Sequence, residues 1–169
     1  MTKHTQPLRD EHQELLPHIE KLRMVGDSVG EATVESLRRD IDEAYDFLAH
    51  HLIPHAQAED RALYPAVARA MGAPEATDTM RRDHVEVGRL VAELDTLRRQ
   101  LSGQVLRGAL AKDLRRVLYG LYALVKVHFA KEEEIFLPLL DKRLTPDDAR
   151  QMFEAMEQAA HEAKSHAAH

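Results

Sequence analysis

The sequence predicts an all-α protein, an up-down-up-down four-helix bundle with an additional short C-terminal helix. Three observations carry this expectation. Apolar residues recur at three- and four-residue spacing through four long segments, the period of one helix face. Aromatics make up only 5 % of the 169 residues, with no tryptophan, and glycine and proline number seven each. A sheet protein favours aromatic residues and needs more turns. Finally, 44 % hydrophobic and 31 % charged residues suit one soluble globular domain with a sizeable core.

The elements follow in order. Thr5 with Pro7 reads as a helix start, Leu8, Leu15, Ile19 and Leu22 form its apolar face, and Gly26 and Gly30 end it. A second helix runs from about Thr33 to Val67, with Leu37, Ile41, Phe47, Leu48 and Leu52 as core candidates, and Met71-Gly72-Ala73-Pro74 closes it. A third runs from about Thr79 to Leu101, ending at Ser102-Gly103, and a fourth from about Gly108 to Leu140. Thr145-Pro146-Asp147-Asp148 reads as an N-cap, a first-turn proline and an acidic first turn, starting the short fifth helix. Residues 1–144 are thus expected to form the bundle, and 145–169 a helix and tail on the same domain. Pro17 and Pro54 fall inside helices, where each removes a backbone donor and should kink or interrupt its helix.

A net charge of −6 gives no reason to expect nucleic acid or an anionic membrane. The absence of cysteine excludes disulfides, thiolate chemistry and cysteine-ligated zinc. The N-terminal stretch has no apolar core of signal-peptide type, and no window reaches eighteen apolar residues, so a cytoplasmic location is expected. Nothing in the sequence decides between a monomer and a small homo-oligomer.

Eleven histidines are an unusual number, and several recur in a pattern. His55 to Pro65, H-A-Q-A-E-D-R-A-L-Y-P, aligns without gaps on His128 to Pro138, H-F-A-K-E-E-E-I-F-L-P. Each has a glutamate at +4 and a proline at +10. L-R-D-E-H, ending at His12, and M-R-R-D-H, ending at His84, form a weaker pair of helix starts. Residues four apart on a helix differ by roughly 40° in direction, so His55 with Glu59 and His128 with Glu132 are each a pre-aligned two-donor edge. His12 to His55 spans 43 residues and His84 to His128 spans 44. The midpoints of the intervals between successive histidines of this set fall near residues 33, 70 and 106, beside Gly30, Gly72 and the Gly103–Gly108 stretch. Antiparallel helices with loops at those points bring four histidines and two glutamates into one layer.

Four imidazoles and two carboxylates are too many for tetrahedral zinc, and a nitrogen–oxygen donor set without sulfur suits iron or, less well, manganese. Two metals bridged by Glu59 and Glu132, each taking two histidines, account for all six residues. That describes a dinuclear, carboxylate-bridged centre, diiron in the first instance, with an oxo or hydroxo bridge. No histidine has a glutamate three residues before it, which sets aside the ferritin-like motif.

On these motifs the chain resembles the hemerythrin-like (HHE cation-binding) family over roughly residues 8 to 140. It is closer to bacterial hemerythrin-like proteins with the signature H, HxxxE, H, HxxxE. The resemblance implies a four-helix bundle with His12, His55, Glu59, His84, His128 and Glu132 as metal ligands. Oxygen-carrying members have H-x-x-x-H on the third helix and, on the fourth, a histidine followed five residues later by aspartate. This chain has Gly88 four residues after His84, and Glu132 at +4 from His128. Six shared ligands leave both metals an open position, which favours peroxide decomposition, or reaction with oxygen or nitric oxide, over oxygen carriage. Two other readings stay open on the residues alone: a non-catalytic oxygen or nitric oxide binding or sensing module, and a metal-free helical interaction protein.

Around this set, His51 lies one turn before His55 and is expected to line the pocket above the metals, with a seventh ligand or a hydrogen-bond donor behind the ligands as the alternative. Tyr45 and Tyr122 are candidates to line the pocket or to give a phenolate to iron, set against ordinary core packing, which is favoured. Gly88 reads either as close helix packing or as a gap where a further ligand could stand. His18 and His50 are expected at the surface, Glu133 and Glu134 on a solvated face, and His161, His166 and His169 in the tail.

Overall fold

The structure, a computed structural model, describes residues 3–167, and within them the chain is helical with no strand longer than an isolated bridge between Thr33 and Val105. Five helices follow one another: α1 (Gln6–Ser28), α2 (residues 34–71), α3 (Asp78–Arg98), α4 (residues 108–143) and α5 (Pro146–Ala167). Between α1 and α2, Gly30 takes φ 87°, and Gly72 at the end of α2 takes φ 67°, conformations that side chains with a Cβ resist. The three loops between α1 and α4 lie where the histidine spacing places them.

Helices α2 and α4 are not uniform. Wide π-turns interrupt α2 at Leu48–Leu52 and Glu59–Leu63, and α4 at Glu132–Phe136. Each lies just before a proline: Pro54, Pro65 and Pro138. Proline has no N–H to give and its ring collides with the carbonyl four residues back, so the helix opens by one residue to clear it. Accordingly Ile53, Tyr64 and Leu137 donate their N–H groups to carbonyls five residues back, those of Leu48, Glu59 and Glu132. Pro17 behaves differently and sits inside an uninterrupted α-helix.

Helix α1 packs along α4 and the first half of α2, α3 packs along α4, and α5 lies across residues 53–63 of α2. The apolar interior forms two clusters. One gathers Ile19, Leu22, Leu37, Ile41, Leu94, Leu114 and Leu118. The other gathers Leu8, Leu63, Tyr64, Met80, Leu137 and Leu140, with Met152, Met156 and Ala159 from α5. A layer of buried polar side chains lies along the same helices: His12, His55, Glu59, His128 and Glu132.

The ends of the helices are tied down. Thr5, fully buried, donates its N–H and hydroxyl to Asp141 Oδ1 at 2.8 and 3.0 Å, fixing the start of α1 against the end of α4. Thr145 and Asp148 form a reciprocal capping box at the start of α5, with N–H donations of 3.0 and 3.1 Å. Helix α5 is 22 residues long rather than short, because no glycine or proline follows Pro146. His161 and His166 are exposed on it, and His169 lies outside the described residues. Among the described residues no helix is long and apolar enough to cross a membrane.

Candidate metal centre

The structure brings all six predicted residues together. Each glutamate divides its two oxygens between two pairs of histidines. Glu59 Oε1 lies 2.8 Å from His55 Nε2 and 3.7 Å from His12 Nε2, while its Oε2 lies 3.1 Å from His84 Nε2 and 3.8 Å from His128 Nε2. Glu132 Oε2 lies 3.3 Å from His12 Nε2 and its Oε1 lies 3.4 Å from His128 Nε2. Donor atoms of His12, His55 and Glu59, and separately of Glu59, His84 and His128, lie within 4.8 Å of one another, a spacing that could hold a metal ion in each group.

Apart from His84 Nε2 and His128 Nε2, 3.0 Å apart, the inward-facing atoms of the six are close but not hydrogen-bonded to each other. His12 Nε2, His55 Nε2, both Glu59 oxygens and Glu132 Oε2 are buried without a hydrogen-bond partner. Orphaned buried polar atoms are costly and rare. Five of them facing one another are lone pairs converging on common centres, and the residues therefore fit a pair of metal ions.

An outer set of carboxylates fixes the imidazoles. Nδ1 of His12 donates to Glu133 at 2.8 Å, that of His84 to Asp60 at 3.0 Å, and that of His128 to Asp83 at 2.9 Å. His55 Nδ1 lies 3.0 Å from Glu11. With the proton of His12, His84 and His128 held outward on Nδ1, their Nε2 lone pairs are left facing the layer. All four contacts run in one direction round the bundle, and three of them are hydrogen bonds: α1 is held by α4, α4 by α3 and α3 by α2, while the contact from α2 back to α1, His55 to Glu11, is out of line for one. Glu133 is thus not on the solvated face that the sequence suggests, but bonded to His12 and to Arg9, while Glu134 is exposed.

The electrostatics match an electron-rich centre. Burial alone would push the His12 imidazole down, but the facing carboxylates of Glu132 and Glu59 outweigh it and lift it to about 9. His128 is lifted to about 10 by Glu132 and Glu59 against the same burial. His55, opposed by burial, is held well above its usual range by the Glu59 charge and by Glu11. Burial would raise Glu59, yet the His55 charge and the facing imidazoles of His12 and His128 hold it well below the usual carboxylate range. Without a metal, imidazolium protons balance the carboxylates.

Glu11, Asp60 and Asp83 are not foreseen by the sequence reading, and neither is Tyr64. Tyr64, fully buried, donates its hydroxyl to Glu132 Oε1 at 2.8 Å and lies 3.0 Å from His128 Nε2 and 3.3 Å from His84 Nε2. Burial, and the negative charges of Glu59 and Glu132, raise its pKa and keep the phenol protonated. Its counterpart in the repeat is Leu137, so the phenol makes the two halves of the layer unequal. The other candidates lie elsewhere. Tyr45 sits with its ring 4.2 Å under the Arg98 guanidinium, and Tyr122 beside Lys126. His51 lines a cleft between α1 and α2 with His18, both stacked on Phe47.

A cavity of about 10 Å³ touches both metal groups, walled by Leu52, Val87, Val125 and Phe129 beside Glu59 and three of the histidines. Gly88, one turn beyond His84, faces open space: a Cβ built there meets nothing within 4 Å, so close helix packing is not its reason. Gly88→Ala is expected to stabilise the protein by about 0.5–1 kcal/mol, read as a raised thermal midpoint. An unchanged or lowered midpoint would show that α3 needs a glycine there.

No curated protein and no solved structure gives a match to the chain. The Hemerythrin HHE cation binding domain, by contrast, matches residues 4–140, which span all six residues of the layer and leave α5 outside. A match over most of the chain, ending on the helices that build the imidazole–carboxylate layer, makes this protein a member of the hemerythrin HHE cation-binding family.

Proposed function

We propose that the layer holds two iron ions bridged by Glu59 and Glu132, and that the protein decomposes hydrogen peroxide. The observation that carries this reading is the division of each glutamate's two oxygens between the two histidine pairs, with five inward-facing atoms left unpartnered. Four nitrogens and two carboxylates with no sulfur suit iron and exceed what a single zinc takes. The reading takes the four ligand-bearing helices as an up-down-up-down bundle, working in the cytoplasm on a small peroxide or diatomic molecule.

Bound iron would supply the redox couple by which two peroxide molecules become two waters and one dioxygen. The chain supplies the rest. Leu52, Val87, Val125 and Phe129 exclude bulk water and admit nothing larger than a few atoms. Tyr64 holds a proton at Oη beside the layer, within donating distance of Glu132. The apolar walls equally favour a diatomic gas, which makes oxygen or nitric oxide binding without turnover the second reading.

Metal analysis of the purified protein, followed by oxygen release on adding peroxide, separates them. The expected result is about two irons per chain and catalytic oxygen release, reduced about ten-fold or more in Tyr64→Phe, as loss of a positioned proton donor predicts. Stable, reversible oxygenation without peroxide loss would replace turnover by carriage. Less than one metal per chain would sink both.

A further inference from the structure

The four outer carboxylates are not equally restrained. Glu133 is also bonded to Arg9 at 2.7 Å, Asp83 to Lys131, and Asp60 lies 3.5 Å from Arg81. These three acids are 29 %, 17 % and 32 % exposed. Glu11 differs in three independent ways. Among the described residues it has no cationic side chain other than His55 itself, its side chain is 47 % exposed, and its 3.0 Å contact is out of line for a hydrogen bond, leaving His55 Nδ1 without one. The repeat shows why. Arg9 and Arg81 stand three residues before His12 and His84, and Lys131 three residues after His128. The position matching Lys131 is Ala58, which is buried, and α5 packs over it. The cation is absent where the fifth helix is seated.

The neighbourhood of Glu11 is negative. Glu14 follows one turn later on the same helix, where a like charge at three residues weakens a carboxylate's hold on its site. Glu14 also lines a cleft of about 270 Å³ between α1 and α2, with Glu43, Asp46, His18 and His51. The cleft's lining includes one cation, Lys21, which is paired with Glu43 at 2.6 Å. His51 is one turn from His55. Three carboxylates against one lysine leave the cleft net negative, which raises the local concentration of cations.

Resting on the two-metal reading above, we propose that the His55 corner is the one that opens, so that metal ions are loaded and released there, past Glu11 and Glu14. His12, His84 and His128 stay clamped by their acid–cation pairs, while His55 swings on an acid that nothing else holds.

The test uses full-length, iron-loaded protein, with stoichiometry measured first and then the rate at which a soluble ferrous chelator removes iron under reducing conditions. Glu14→Arg places a cation one turn from Glu11 and is expected to slow release about three-fold or more at unchanged stoichiometry. Glu11→Gln is expected to speed it about ten-fold or more. Glu157→Arg, the same charge change on the exposed face of α5, is expected to leave the rate unaltered. If Glu14→Arg and Glu157→Arg both release iron at the rate of the unmutated protein, or slow it equally, the His55 route is overturned while the two-metal reading stands. If the unmutated protein never takes up iron, the stoichiometry step shows that the underlying reading has failed.

Discussion

Glu59→Gln is expected to abolish stable occupancy of the centre, lowering metal content from about two ions per chain to less than one. Glu59 is fully buried and is the one residue common to both donor groups. Glutamine keeps its shape but turns one shared anionic oxygen into an amide donor that points at imidazole lone pairs. The metal-free protein should suffer too. Removing one partner of a buried charge network costs about 3–5 kcal/mol, because the remaining groups are left uncompensated. Metal analysis and denaturant unfolding of the metal-free form read the two effects separately. A variant that still held two ions would show that Glu59 does not bridge.

Removing the metal from the unmutated protein is expected to lower its thermal midpoint by about 10 °C or more. Each ion present at a hundred times its dissociation constant stabilises by about 2.7 kcal/mol, and a chain of this size shifts by roughly 2–4 °C per kcal/mol. The pH dependence has a definite sign. His12 and His128 are lifted from an ordinary 6.5 to about 9 and about 10 in the folded, metal-free protein. Their stabilisation is therefore complete below about 6.5 and is lost as pH rises through 9 and 10. Glu59 is held below its ordinary 4.5, so its contribution is present above that value and lost as pH falls beneath it. Metal must displace the imidazolium protons, so its binding strengthens with pH. The gap between loaded and metal-free midpoints should widen from about pH 6 to about pH 9. A gap that stays constant or narrows would mean that the imidazoles are not what the metal replaces.

The six layer residues were legible because they recur: two matched His-to-Pro segments and loop midpoints that agree point to one level in a bundle. Of the outer carboxylates the sequence reading places only Glu133 on a solvated face, and it gives Glu11, Asp60 and Asp83 no role. Each stands next to a layer residue in sequence, Glu11 and Asp83 just before a histidine, Asp60 and Glu133 just after a glutamate. A neighbour on a helix points roughly 100° away. In a bundle that direction is the seam with the next helix, not open water. Tyr64 was illegible for another reason. At five residues beyond Glu59, an α-helix would turn it roughly 140° away from that side chain. The π-turn at Glu59–Leu63 returns it to the same side, and only the collision geometry of Pro65 gives a hint of that turn. The reach of α5 was underestimated because a helix's length depends on where its next breaker lies, and none follows Pro146.

The one-way circuit of imidazole-to-carboxylate bonds also bears on how the chain finds its alignment. Leucine-rich seams repeat every turn, so a helix slid by one turn, about 5.4 Å, could still bury apolar surface against its neighbours. The circuit has no such repeat. Helices α3 and α4 each give a proton and receive one, so sliding either breaks a bond at two seams, and sliding α1 or α2 breaks one bond and parts the His55–Glu11 contact. The polar layer therefore acts as a vernier: oily contacts bring the helices together, and the acids and imidazoles select the single longitudinal setting at which they stop.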